Sequence, residues 1–309
     1  MNLVKESLFE FYKPTSVKTA AEIGLMNIIK KEMKESGEEY EGLDDALRWA
    51  ITYNKINYVK YLLSIGANAE FNDNLEYSVE KGYYDIVNLL LNSGKFCHTQ
   101  KNIALEIAAD NGHYDIVKLL LNNGADVYAE DDYALKWASL NGHYDVVKLL
   151  LDNGADVYAN GDKALKWASK KGHYDIIKLL LENGANVHTE NDYALKNAAE
   201  HGYYNIVKLL LDNGADVHAE NDYALRWSAN NGHYKVVKLL LDNDANVHAI
   251  NDQALRWAIE ENHHDIVKLL LNNGINVYAY NDYALRWAIE ENHHDIVKLL
   301  LDNGANANT

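Results

Sequence analysis

A glycine that returns every 30 residues constrains this chain more than any other feature. Gly82, Gly112, Gly142, Gly172, Gly202 and Gly232 form one series, and Gly94, Gly124, Gly154, Gly184 and Gly214 form a second. A fixed period of this length marks stacked supersecondary repeats, each too small to bury an apolar face alone. In register, residues 44–309 give nine clear repeats, the first two residues shorter than the rest. Residues 1–43 hold a tenth, degraded one, visible in Ala20, Ala21, Gly24, Ile28, Ile29 and Lys30. Where later repeats read Leu-Leu-Leu it has Lys31, Glu32 and Met33, a polar face suited to a chain-end cap. The expected organisation is an N-terminal segment, 1–43, with a degenerate capping repeat, then one continuous solenoid over 44–309.

Each repeat reads as helix, tight turn, helix and short extended connector. Asp132, Asp162, Asp192, Asp222, Asp252 and Asp282 precede Ala-Leu-Lys/Arg runs, where a carboxylate can accept the unpaired N–H groups of a helix start. The first helix stops at glycine, or at Asn54, Asn262 or Asn292, asparagine being the other residue that tolerates a left-handed backbone. The second carries Ile116, Val117, Leu119, Leu120 and their equivalents, with Lys118 as a solvated position. It ends at glycine in every clear repeat but one, where Asp244 stands instead. The fold class expected is all-α, a helix-turn-helix solenoid of about ten repeats with shortened connectors.

Composition agrees. With 48% apolar and 24% charged residues, the 309-residue chain can bury a core and lacks a disordered composition. Lys plus Arg number 29 against 46 Asp plus Glu, a net charge of -17 that argues against nucleic acid or an anionic membrane as partner. Cys97 is the only cysteine and cannot form an intramolecular disulfide, so a cytoplasmic setting is expected. Lys5, Glu6 and Glu10 interrupt the apolar stretch a secretory signal would need, and no window approaches the roughly 18 apolar residues of a membrane helix.

The stretch Ala-Ala-x-x-Gly-His followed by Ile-Val-x-Leu-Leu-Leu-x-x-Gly-Ala-Asp-Val, as at Ala108 to Val127, resembles the ankyrin repeat, and the likeness covers nearly the whole chain. Two departures stand out. The family's Thr-Pro-Leu-His reads Tyr-Ala-Leu-Lys/Arg here, as at Tyr133 to Lys136, and each repeat has 30 residues against the family's usual 33 or so. The shortfall falls between Gly124 and Leu135, where the family carries its β-hairpin finger, so short fingers are expected. Repeats of this short type are similar to those of amoeba-infecting giant DNA viruses. The resemblance implies a non-enzymatic scaffold that binds a protein partner, plausibly a host protein, through a concave face lined by the first helices.

The six tryptophans fall in one column, Trp49, Trp137, Trp167, Trp227, Trp257 and Trp287, and a cation precedes each: Arg48, Lys136, Lys166, Arg226, Arg256 and Arg286. Indoles beside cations are frequent in binding hot spots. The alternative is that tryptophan packs between neighbouring first helices while the cation pairs one turn on, as Arg256 with Glu260 and Arg286 with Glu290. The family's variable positions carry over onto the pairs before each turn: Asp110 and Asn111, Leu140 and Asn141, Lys170 and Lys171, Glu200 and His201, Asn230 and Asn231, Glu260 and Glu261, Glu290 and Glu291. Candidate partner-binding residues are these pairs together with the tryptophans and arginines. Finger residues Glu130, Asp131, Asp132, Glu190, Asp192, Glu220, Asp222 and Asp282 suggest an acidic rim, hence a partner with a basic patch.

No metal or cofactor is expected. His113, His143, His173, His233, His263 and His293 share one repeat position and would lie roughly 10 Å apart in stacked helices, too far to share an ion at about 2 Å. In the family this histidine bonds backbone between turns. No phosphate loop, nucleophile elbow or Cys-x-x-Cys occurs, and every conspicuous residue is repeated, whereas catalysis needs one singular constellation. Residues Ala254 to Leu271 and Ala284 to Leu301 are identical, so the last repeat looks uncapped and should expose some of Ile296, Val297, Leu300 and Leu301. A structural, self-assembling role through that end is one alternative function. A substrate adaptor for a ubiquitin ligase is another.

Overall fold

The computed structural model describes residues 18–37, 39–275, 277 and 279–305, with side chains over the same residues except 18–23, 131, 160 and 279–283. The chain divides into two compact blocks between Ala134 and Leu135. The N-terminal block holds α1 (Lys18–Glu35), α2 (Leu43–Thr52), α3 (Ile56–Ser64), α4 (Asn74–Glu80), α5 (Tyr84–Ser93), α6 (His98–Asp110) and α7 (Tyr114–Asn122). Helix α8 (Ala129–Asn141) spans the division. The C-terminal block continues with α9 (Tyr144–Asp152), α10 (Ala159–Lys171), α11 (Tyr174–Glu182), α12 (Thr189–Glu200), α13 (Tyr204–Asp212) and α14 (Ala219–Asn230). It ends with α15 (Tyr234–Asp242), α16 (Ala249–Glu260), α17 (His264–Asn272), α18 (Ala279–Glu290) and α19 (His294–Asp302). No strand occurs among the described residues.

Within each block the helices pair as hairpins and stack in chain order. First helices α10, α12, α14, α16 and α18 pack as one row of the C-terminal block, and second helices α9, α11, α13, α15, α17 and α19 as the other. In the N-terminal block α2, α4 and α6 form the first row and α3, α5 and α7 the second. Gly24 lies inside α1, so the described part of the N-terminal segment is a single helix, packed on α2 through Ile29 and Met33. The core repeats with the sequence: Leu150, Leu180, Leu210, Leu240, Leu270 and Leu300 are all fully buried, each contributing about 1.5–3 kcal/mol relative to exposure.

The turn between helices follows from backbone geometry. Gly202 sits at φ 74°, and Asn54, Asn262 and Asn292 take the same left-handed conformation at φ 50°, 58° and 60°. At the end of each second helix, Asn153, Asn183 and Asn213 donate Nδ2 to the carbonyls of Leu149, Leu179 and Leu209 at 2.8 Å. The next residue but one closes the turn, as where the Ala155 N–H reaches the Leu150 carbonyl at 3.0 Å.

The finger aspartates do something other than cap their own helices. Asp192 and Asp222 are buried and accept backbone N–H groups from the connector of the following repeat: Asp216 to Asp192 at 2.8 Å and Asn246 to Asp222 at 2.7 Å. Asp162 does the same for Asn186 at 3.0 Å. The reason is a left-handed turn before the helix proper. Glu190, Asn191 and Asp192 lie at φ 51°, 55° and 56°, and 220–222 and 250–252 repeat the pattern. The turn swings the carboxylate away from its own helix start and toward the neighbouring repeat.

Ser139 and Ser169 stand where other repeats have Ala109, Ala199 and Ala229, and their buried hydroxyls have no hydrogen-bond partner among the described residues. Ser228, by contrast, donates to the Leu225 carbonyl at 3.1 Å. Ser139→Ala and Ser169→Ala should each stabilise the protein by about 1–2 kcal/mol, because the unsatisfied hydroxyl is removed. Denaturant midpoints check this; no gain at either position, or an equal gain for Ser228→Ala, refutes it.

Candidate functional site

In the C-terminal block the stacking of first helices sets Trp137, Trp167, Trp227, Trp257 and Trp287 in one column, interrupted by Asn197, with all five indoles partly buried. The Trp227 and Trp257 rings approach to 5.1 Å, tilted by 57°, and Tyr223 stacks on Trp227 at 5.6 Å. Trp227 and Trp257 thus pack between neighbouring first helices, as the packing alternative expects, while each retains some exposed surface. In the N-terminal block Trp49 is buried and donates its indole N–H to Ser36 Oγ at 2.9 Å.

The cations beside them turn inward rather than toward the acid one turn on. Lys166 Nζ lies 2.6 Å from Glu190 of the next repeat, and Lys196 pairs with Glu220 in the same way. Arg226 is buried, donating Nη2 to the Glu220 carbonyl and Nε to the Asn221 carbonyl, each at 2.9 Å, and Nη1 to Gln253 at 2.7 Å. Arg256 reaches the Ile250 carbonyl at 3.3 Å instead of pairing with Glu260. The cation column thus holds the left-handed turns in place. Arg286 is exposed.

Tyrosines thread between these cations, an arrangement the sequence reading missed. Lys166 lies 4.3 Å from the Tyr193 ring, Lys196 sits between Tyr193 and Tyr223 at 6.0 and 5.8 Å, and Arg226 is 5.7 Å from Tyr223. Burial pulls the Arg226 pKa below its ordinary value. Burial, helped by the Glu200 carboxylate that the hydroxyl contacts at 3.3 Å, pushes Tyr223 up to about 12. The signal was present as Tyr133, Tyr193, Tyr223 and Tyr283, each directly after the finger aspartate.

The variable pairs are the open part of this face. Asn141, Lys170, Lys171, Asn231, Glu261, Glu290 and Glu291 are exposed, and Asn230 and Glu260 partly so. Glu200 and Asn231 also have structural ties: the Glu200 carbonyl accepts Asn231 Nδ2 at 2.7 Å and His233 Nε2 at 2.9 Å. The acidic rim needs correction. Asp132, Asp192 and Asp222 are buried, and Glu190 and Glu220 are neutralised by lysines, so those five acids present little free negative charge. Asp131 and Asp282 lie outside the described side chains. On the first-helix face the exposed acids without an ion pair among the described residues include Glu261, Glu290 and Glu291.

Glu260 registers that acidic end. Burial, reinforced by Glu261 and Glu291 against the opposing pull of Arg256, raises its pKa above the ordinary carboxylate range. A carboxyl that binds its proton more tightly when folded loses stability as pH rises from the ordinary value, about 4.3, through the raised one. Glu260→Gln should therefore melt above the parent at pH 7 and converge with it below about pH 4. Melting temperatures across that range test the sign; a gap of constant size refutes it.

The turn histidines are structural. His173, His233 and His263 donate Nε2 to the carbonyls of Leu140, Glu200 and Asn230 in the preceding turn at 3.0, 2.9 and 2.9 Å. No group of three or more metal-ligating side chains occurs among the described residues. A second histidine set was given no role by the sequence reading: His188, His218 and His248 donate Nδ1 to Asp192, Asp222 and Asp252 at 3.1, 3.0 and 2.8 Å. Its signal is a histidine four residues before each of those aspartates.

A family model described as ankyrin repeats, in three copies, matches residues 75–131, 105–191, 135–221, 188–251 and 225–309. The chain belongs to the ankyrin-repeat family. No curated protein matches it. Ankyrin repeats generally mediate protein–protein interaction. No helix among the described residues is long and apolar enough to cross a membrane.

Proposed function

We propose that the chain is a non-enzymatic scaffold that binds a protein partner through the first-helix face of its C-terminal block. The observation that carries this reading is the run of partly buried indoles, Trp227 against Trp257 at 5.1 Å, flanked by exposed variable pairs. Packed aromatics with an open edge supply apolar area at low entropic cost, and the surrounding charges select the partner. Because the first-helix face carries exposed Glu261, Glu290 and Glu291 toward one end of the block and Lys170 and Lys171 nearer the other, the complementary partner has its basic patch toward the acidic end. The short repeat, similar to giant-virus ankyrin repeats, favours a host protein in a cytoplasmic setting.

The test is affinity capture with the parent and with a variant carrying Lys170→Glu, Lys171→Glu, Glu260→Lys and Glu261→Lys. Loss of the captured partner, with a cooperative melting transition retained, is the expected outcome. Identical recovery from both proteins defeats the proposal. A second reading, self-association through the last repeat, draws on Ile289 and Leu301. They are 51% and 44% exposed, against 0% and 9% for their counterparts Ile259 and Leu271, although Ile296 and Leu300 are buried. Sedimentation over a wide concentration range decides it, since a strict monomer excludes that role.

A further inference from the structure

The N-terminal block holds an open cleft of about 460 Å3 walled by Trp49, Tyr53 and Phe71 and by the carboxylates of Glu39, Glu41 and Asp45. That volume lies within the range of about 300–1,000 Å3 typical of ligand sites. None of the three carboxylates has an ion-pair or hydrogen-bond partner among the described residues. The one cation on the wall is already committed: Arg48 Nη1 lies 2.7 Å from Asp73, and its guanidinium rests 4.6 Å from the Tyr77 ring. The aromatic wall is anchored as well, Trp49 being tied to Ser36 and set 5.4 Å from Tyr53 and 6.2 Å from Tyr58.

Comparison between repeats shows what chemistry the cleft suits. Asp45 occupies the position held by Tyr193 and Tyr223 in later repeats. There the tyrosines, together with Glu190 and Glu220, surround the protein's own ammonium groups: Lys166 against Tyr193 and Glu190, and Lys196 between Tyr193 and Tyr223 beside Glu220. At Asp45 a carboxylate stands in place of that ring and joins Glu39 and Glu41 on the cleft wall. An aromatic and acidic wall of the kind that elsewhere encloses an internal cation here presents Tyr53, Glu39 and Glu41 to solvent, and its acids have no partner among the described residues.

We propose that this cleft takes up an arginine side chain from a basic segment of the partner protein. The inference rests on the reading of the chain as a protein-binding scaffold and assigns one contact of that binding to the N-terminal block. Arginine fits better than lysine because a planar guanidinium can stack on the exposed Tyr53 ring and the half-buried Phe71 ring while its edge donates to two carboxylates, and it sheds water more readily than an ammonium. A carboxylate cluster with no partner among the described residues, set beside an aromatic wall, gains both terms at once.

The full chain is titrated with a capped seven-residue glycine–serine peptide bearing one central arginine, and with otherwise identical lysine and citrulline peptides. The readout is the NMR signal of the Trp49 indole N–H, assigned by its loss in Trp49→Phe. The arginine peptide should give saturable shifts, the lysine peptide should bind about threefold more weakly and the uncharged citrulline peptide should not bind. Glu41→Gln combined with Asp45→Asn should weaken arginine binding by about tenfold with unchanged melting. Raising salt from about 50 to 300 mM should also weaken it. No saturable shift at millimolar peptide, equal binding of citrulline, or equal affinity in the double variant overturns the proposal. Any of these, with capture still lost in the Lys170, Lys171, Glu260 and Glu261 variant, removes the cleft alone. Arginine binding that persists while that variant captures its partner normally instead removes the C-terminal face.

Discussion

Gly202→Ala is expected to cost about 3 kcal/mol, an unusual penalty for adding one methyl group near a protein surface. A non-glycine residue at φ 74° pays about 1–2 kcal/mol for the left-handed backbone alone. The added Cβ would also lie 2.6 Å from His233 Nδ1, inside any real contact distance. The imidazole must then move, and overpacking of this kind costs about 1–3 kcal/mol. Moving it breaks the 2.9 Å bond from His233 Nε2 to the Glu200 carbonyl, worth about 1 kcal/mol net. These penalties overlap, because one ring shift accounts for the last two. Gly214→Ala is the internal control: its φ of 89° is equally left-handed, but nothing lies within 4 Å of the new methyl, so only the backbone penalty of about 1–2 kcal/mol should appear. Denaturation midpoints for both, and for Gly202→Ala combined with His233→Ala, separate the contributions. The double variant should lose less than the sum of its parts. Equal penalties at positions 202 and 214 would show that the histidine ring is not the constraint.

The same geometry explains what could be read from the sequence. A left-handed turn admits few residue types, so a glycine replaced only by asparagine at positions 54, 262 and 292 announces the turn, and Leu150 and its counterparts announce the core by recurrence. Pairings between repeats left no such mark. An aspartate before Ala-Leu-Arg looks like a helix cap whether it bonds its own helix or, as Asp192 does, an amide 24 residues on. The left-handed triplet was hidden for another reason. Glu190 and Ile250 are not residues that prefer that conformation, and it is held by lysine and arginine reaching back to its carbonyls, Lys196 to Glu190 at 3.3 Å and Arg256 to Ile250 at 3.3 Å. Charge counting failed at the finger rim because it cannot separate the buried Asp222 from the exposed Glu261. The tryptophan column was legible as a column, but its partial burial depends on ring contacts such as Trp227 with Trp257 that span two repeats.

Asp222→Ala should destabilise the protein by about 3 kcal/mol through that hidden network. The buried carboxylate accepts the Asn246 N–H at 2.7 Å and His218 Nδ1 at 3.0 Å, and a hydrogen bond to a charged group is worth about 1.5–3 kcal/mol. Alanine also tolerates φ 56° less well than aspartate and leaves the buried Arg226 with less compensating charge. Asp222→Asn separates these effects. It keeps an oxygen acceptor for Asn246 and the tolerance for a left-handed backbone, so it should cost only about 1 kcal/mol. Hydrogen exchange at the Asn246 amide is the discriminating measurement: faster exchange in Asp222→Ala, nearly parental exchange in Asp222→Asn. An amide that exchanges at the parental rate in both would mean that the bridge between repeats is not maintained in solution. The consequence reaches the proposed binding face. Arg226 is held by the carbonyls of Glu220 and Asn221, so loosening the turn that ends at Asp222 frees a buried cation next to Trp227. A substitution that touches no exposed residue should thus weaken partner capture, and should do so in Asp222→Ala more than in Asp222→Asn.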